Sequence, residues 1–122
     1  MRSELVPSPE PSVLPATISG TVTESDRARL PPDAIVILTL WNTTTGYTTP
    51  VARIEFRANG QQVPIPFELD YDANAIDPAQ TYALAGEIDL AGRAIYRANS
   101  WVPVITQGNP IDDVGIPLEP IP

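Results

Sequence analysis

From residue 16 to residue 118 the apolar positions recur every second residue, in short runs set apart by turn formers. No stretch of helical length places apolar residues three and four apart, so the periodicity is that of strands half-buried on one face. Seven runs read as strands: Ala16–Glu24, Ala34–Trp41, Val51–Arg57, Gln61–Leu69, Thr81–Asp89, Arg93–Asn99 and Trp101–Ile105, with a weaker eighth around Val114–Leu118. Between them lie Pro31-Pro32-Asp33, Thr45-Gly46, Asn59-Gly60, Asp77-Pro78, Ala91-Gly92 and Gly108-Asn109-Pro110, residues that turn a chain through fixed φ, positive φ or side-chain bonds to the backbone. Short strands at this spacing predict an all-β domain, an Ig-like β-sandwich of seven or eight antiparallel strands.

Asn59-Gly60 suits a two-residue type I′ turn, whose central residues both need positive φ. Closing it pairs Ala58 with Gln61, then Phe56 with Val63, Ile54 with Ile65 and Ala52 with Phe67, all apolar and all on one face. In that register Pro64 and Pro66 turn their missing N–H positions away from the hairpin partner, which predicts an edge strand blunted against association. Further on, Ile76, Pro78 and Tyr82 carry the spacing of a tyrosine corner, in which the phenol bonds backbone a few residues upstream. This predicts a structural role for Tyr82, with Leu84, Gly86, Ile88 and Leu90 sharing its inward face.

Prolines mark the ends. Residues 1–15, with Pro7, Pro9, Pro11 and Pro15, read as an extended tail without the basic start and apolar run of a signal peptide. Residues 16–118 form the domain, and 119–122 read as a C-terminal tail, since Pro117, Pro120 and Pro122 cannot continue a central strand.

Composition narrows the chemistry. The 122 residues contain no Cys, no His and no Lys, so thiol nucleophiles, imidazole bases, common zinc sites and Schiff bases are all excluded. Seven arginines against 15 acids give a net charge of -8, which opposes binding to a phosphate backbone. No enzyme activity and no cofactor are expected.

Several clusters need weighing. Asp70, Asp72 and Asn74 occupy the first, third and fifth places of a calcium-loop pattern, but Ala75 stands where Gly makes the turn and Thr81 where Glu belongs. They read as turn formers, so no metal is expected. Asp112-Asp113 and Glu24 with Asp26 could be imagined as carboxylate pairs of a hydrolase, yet 15 acids on a small domain make such neighbours by chance. Asn42-Thr43-Thr44 fits a glycan acceptor and reads as a Thr-rich loop. Exposed aromatics in a cluster would suggest a sugar or peptide platform. Core packing is nevertheless expected for Trp41 and Trp101, because large rings are mostly buried, with Trp101 kept as the candidate for contact with a partner.

The stretch from Gly60 to Leu69 (GQQVPIPFEL), with Tyr71-Asp72, Ile76-Asp77-Pro78, Tyr82-Ala83-Leu84, Gly92-Arg93 and Pro103-Val104-Ile105-Thr106, resembles the YbaY-like lipoprotein family, which includes the type III secretion lipoprotein chaperones called pilotins. Ile18-Ser19-Gly20-Thr21-Val22-Thr23 and Leu30-Pro31-Pro32-Asp33-Ala34 fit its opening strands. The resemblance implies a small β-sandwich of the bacterial cell envelope or periplasm, tethered through an acylated Cys and acting as a binding or chaperone-like accessory. Its partner would be an envelope protein or an extended peptide segment. This chain has no such Cys, so the anchoring does not carry over, and the chain as written would be cytoplasmic with no direct membrane insertion. A structural spacer without a ligand and a carbohydrate-binding module are the other readings.

Overall fold

The computed structural model describes residues 14–24, 30–45, 50–98 and 100–121. Eight strands follow in chain order: β1 Pro15–Glu24, β2 Ile35–Asn42, β3 Ala52–Arg57, β4 Ile65–Asp72, β5 Tyr82–Leu90, β6 Arg93–Ala98, β7 Val102–Val104 and β8 Val114–Pro120, with a single 3-10 turn at Ala73–Ala75 after β4. They form one continuous sheet in the order β3-β2-β5-β6-β8-β1-β4, with β7 also on β5. Every ladder is antiparallel except that of β1 with β8, the first and last strands.

Alternation decides which side chains go inside. Ile18 and Val22 of β1, Val36, Leu38 and Leu40 of β2, Ile65, Phe67 and Leu69 of β4, Tyr82, Leu84 and Ile88 of β5, and Val114, Ile116 and Leu118 of β8 share one buried core. The sheet curls around that core until its two end strands, β3 and β4, come close to each other. Two glycines allow the curl. A β-carbon on Gly20 would lie 1.8 Å from the Val114 carbonyl oxygen, so the ladder of β8 with β1 can begin at this pair only beside a bare Cα. A β-carbon on Gly86 would meet Ile116, Leu38 and Leu118 side chains at 3.0–3.2 Å, so the core closes across β5 where that side chain is missing.

All-β is therefore the fold, but one curled, nearly closed sheet replaces the expected pair of stacked sheets. Tyr82 is buried, and its hydroxyl accepts the Asp77 N–H at 2.9 Å. That bond ties down the turn leading into β5 of a single sheet; no corner between two sheets exists for it to close.

The hairpin expectation needs correction as well. The turn itself forms: Asn59 and Gly60 have φ of 56° and 86°, and the Gln61 N–H donates to the Ala58 carbonyl at 2.9 Å. Its two arms then part, β3 pairing with β2 and β4 with β1. The Ala58 and Asn59 N–H groups donate to the carbonyls of Ala34 and Pro32, and the Gln62 amide takes both backbone groups of Leu30, accepting at 2.8 Å and donating at 3.2 Å. These bonds fasten the turn to the chain ahead of β2 and release β4 toward β1. Pro64 accordingly lies before β4, which begins at Ile65 and runs to Asp72.

Pro66 does sit on an edge strand, since β4 ends the sheet. Ser19 donates its N–H away from β4, to Ile111 at 2.9 Å, so the alternate residues Ile18, Gly20 and Val22 bond to Leu69, Phe67 and Ile65. Pro66, Glu68 and Asp70 then face the free side, where a missing N–H costs nothing. At the other end, Pro117 and Pro120 lie inside an internal strand after all. The ladders on the two sides of β8 are staggered: Val114–Leu118 pairs with β1 and Leu118–Pro120 with β6, so Pro117 has a neighbour on one side alone. The stretch read as a C-terminal tail is thus strand through Pro120, and Ile121 N–H donates to the Ile95 carbonyl. Of the N-terminal tail, residues 1–13 lie outside the described residues, and Pro15 opens β1.

Candidate functional site

The outward positions of β2, β5 and β6 build a shallow groove. Register places Glu55, Ile37, Glu87 and Arg97 in one row across β3-β2-β5-β6, and Arg53, Thr39 and Ala85 in the next. Trp41 stands at the end of β2 opposite Ala83. Trp101 reaches the same place because the chain bulges. Arg97 opposes Glu87 and Val102 opposes Leu84, so five steps along one side face three along β5, and Trp101 lies in the extra length.

The two indoles stack with centroids 5.9 Å apart and planes 15° from parallel. Both rings are half-buried on the outside of the sheet, not in the core. The sequence-based expectation for Trp41 and Trp101 is corrected accordingly: the inward positions are already filled by Leu40 and Val104, and alternation leaves the rings the outer face. Ile37, Thr39, Trp41, Ala85, Glu87, Arg97 and Trp101 enclose about 230 Å³. The floor is small side chains and the walls are indole rings, a shape that accepts a flat or extended ligand.

The polar end of the groove is electrostatically tuned. Glu87 is pushed up from 4.5 to about 7, first by its hydrogen bond with Asp89, then by burial and by the Asp89 charge, against the opposing pull of Arg97 and Arg53. Arg53 is itself 3.1 Å from Glu55 in an exposed pair. Asp89 Oδ1 is buried and has no hydrogen-bond partner among the described residues. The arrangement can stack against a planar or apolar group and accept hydrogen bonds beside it.

The other sequence candidates go elsewhere. Pro78 lies in the turn before β5, where its carbonyl accepts from Gln107 at 3.2 Å, and it lines a second depression with Tyr71, Ile76 and Ile105. Ile105 has φ 75°, uncommon for a β-branched residue, and the loop is fastened by the Thr106 hydroxyl donating to the Gln80 carbonyl at 2.6 Å. Burial raises the Tyr71 phenol above its usual 10. Asn59, Gly60 and Pro64 belong to the turn beyond β3, distant in the chain from both tryptophans. Asp72 spends one oxygen on the N–H groups of Leu14 and Asn74, and Asp70 accepts from the Thr17 hydroxyl. Asn42 caps its own loop by accepting from Thr44 and Thr45. Glu24 is buried at the end of β1, Asp112 and Asp113 are exposed ahead of β8, and Asp26 lies outside the described residues. Sequence reasoning missed Glu87, Asp89 and Arg97. Their only signal is the alternate outward positions of their strands, which say nothing of neighbours until the sheet order is known.

Comparison with known proteins agrees with this architecture. An alternative pilotin from the type II secretion system of Vibrio cholerae has a similar structure, with TM-score 0.83, 27% sequence identity, and coverage of 89% of this chain and 99% of that one. The uncharacterized lipoprotein YbaY of Escherichia coli (strain K12) is 24% identical over 120 residues, which is 90% of this chain. The chain spans 63% of the length of that relative. The family described as type III secretion system lipoprotein chaperone (YscW) matches residues 14–115, and the chain belongs to that family.

Proposed function

We propose that this protein is a non-enzymatic accessory of the bacterial cell envelope that holds an extended segment of a secretion-system protein against the Trp41–Trp101 groove. The observation that carries the reading is the pair of stacked indoles on the outer face, above small side chains. Large rings left half-exposed in a cluster are unusual on an otherwise polar surface and are typical anchors for a partner. The relatives named as a chaperone and a pilotin support the same kind of role. A site of this form works by holding. The floor beneath the rings is sheet whose backbone groups are already bonded on both sides, so affinity comes from apolar contact and stacking. No reaction step is assigned to it.

The test is site-specific photocrosslinking in the native cell envelope, with the crosslinker at Thr39 in the groove or at Thr17 on the opposite half. The expected result is a crosslink from Thr39 to a protein of a secretion apparatus, lost in Trp41→Ala/Trp101→Ala, and none from Thr17. Equal recovery from both positions, or from neither, overturns the reading.

A further inference from the structure

Two strands end the sheet, and their free edges differ. On β4 the side away from β1 is interrupted by Pro66, whereas β3, Ala52–Arg57, contains no proline. The Ala58 N–H bonds to the Ala34 carbonyl, so by alternation Phe56, Ile54 and Ala52 exchange backbone bonds with Val36, Leu38 and Leu40. The bond from Thr43 N–H to Thr81 on the other side of β2 gives the same assignment, since it commits the odd-numbered residues of β2 to β5. Arg53, Glu55 and Arg57 therefore turn their N–H and C=O groups away from β2, and among the described residues no ladder meets them. These groups recur about every 6.8 Å, a spacing that another extended chain matches. The core is also thinnest here. Ile54 and Phe56 point inward from β3 yet are only half-buried, while Val36, Leu38 and Leu40 beside them are fully buried. In a plain hairpin β4 would pair along this edge and cover them; it comes close but bonds to β1 instead. The edge of β3 is thus left with unmatched backbone groups and an incomplete apolar cover.

We propose that β3 takes an extended segment of another protein as an added antiparallel strand, bonded through its backbone to Arg53, Glu55 and Arg57 and laying alternate apolar side chains on Ile54 and Phe56. This surface is separate from the ring pair. The groove floor has its backbone groups bonded on both sides, and the β3 edge supplies the free ones that the floor lacks. Arg53 shares a row with Thr39 and Ala85, so the added strand lies on the same half of the sheet as the groove. A second copy of this chain is the poorer occupant, because each copy carries -8 and the two repel.

The experiment follows amide hydrogen exchange of the full chain by NMR, without and with an end-blocked seven-residue peptide of alternating Val and Thr. In the free protein the amides of Ile54 and Phe56 are expected to be protected and those of Arg53, Glu55 and Arg57 to exchange freely; at saturating peptide the latter three slow at least fivefold. Glu55→Pro removes an N–H that faces away from β2, as that of Pro66 faces away from β1, so it is expected to keep the native near-ultraviolet circular dichroism and to bind the peptide at least tenfold more weakly. Trp41→Ala/Trp101→Ala leaves the slowing unchanged. Binding that is lost in the double tryptophan variant and leaves the exchange of Arg53, Glu55 and Arg57 unaltered places the peptide in the groove alone, which overturns this inference and leaves the proposed function intact. A dimer in sedimentation with those three amides already protected gives the edge to a second copy and overturns it too, as does the absence of any peptide binding at millimolar concentration.

Discussion

The two halves of the sheet have the same inside and different outsides. Outward from β4, β1 and β8 point Pro66, Glu68 and Asp70, then Thr17, Ser19, Thr21 and Thr23, then Gly115, Pro117 and Glu119: small, polar or proline throughout. Outward from β2, β5 and β7 point Ile35, Ile37, Thr39 and Trp41, then Ala83, Ala85, Glu87 and Asp89, then Pro103, with Trp101 laid over them: apolar and aromatic at one end, charged at the other. Inward, both halves contribute aliphatic residues of similar size. Folding requires only the inner set, so the aromatic pair on the outer face is the feature that the proposed contact would use. The larger depression, about 560 Å³ between β1 and β4, lies on the plain half and is lined mainly by Ser19, Thr21, Pro66, Glu68 and Asp113. Size alone is a poor guide to function here.

The sharpest way to break the likeness of the insides is to add one carbon to each half. Gly20→Ala drives a β-carbon into Val114 backbone at 1.8 Å, which cannot yield as a side chain can, and about 3 kcal/mol or more of stability is expected to go. Gly86→Ala meets only side-chain ends at 3.0–3.2 Å, and about 1 kcal/mol is expected. Urea denaturation of both variants checks the order, and a reversed order would contradict the close approach of the Val114 backbone to Gly20.

The difference between the outsides is tested by truncating the rings. Trp41→Ala with Trp101→Ala is expected to weaken binding of the partner segment at least tenfold, about 1.4 kcal/mol, as read by calorimetry. A smaller effect concerns Glu87. In the unfolded chain its carboxyl ionises near 4.5 and in the folded protein near 7, so between these values the folded state holds a proton that the unfolded state has lost. The stability this contributes is full below about pH 4.5 and disappears as pH rises through 7. Solvent screening of this half-buried group limits the swing to about 1 kcal/mol. Urea midpoints of Glu87→Gln should match wild type at low pH and exceed it at pH 8. The smallest effect belongs to the plain half. Thr17→Ala removes an exposed bond to Asp70 of 2.8 Å and should shift stability by less than about 0.5 kcal/mol, with binding unchanged.

How much of this was legible in the sequence follows from what period-two alternation encodes. It names faces, not neighbours. Ala52, Ile54, Phe56, Ile65 and Phe67 all pack on the core side, as the hairpin register requires, although the two strands pair with other partners. The turn at Asn59-Gly60 was legible because positive φ is a local demand. The divergence after it rests on Gln62 reaching Leu30, 32 residues away, which no local pattern reports. Pro117 misleads for a related reason: the rule against proline in central strands presumes ladders of equal length on both sides, and those of β8 are staggered. At the groove, Trp101 was a candidate on its own. Its pairing with Trp41 depends on a bulge between β6 and β7, and the row of Glu87 with Arg97 on sheet order.

The parallel pairing of the first and last strands has a mechanical consequence. Because β1 and β8 run the same way, the beginning of β1 and the end of β8 lie at opposite ends of the barrel. Tension applied through the two chain ends therefore pulls these neighbours lengthwise past each other. The bonds between Gly20–Glu24 and Val114–Leu118 share the load together instead of opening one after another. A pull between the two ends would therefore meet its greatest resistance at this seam.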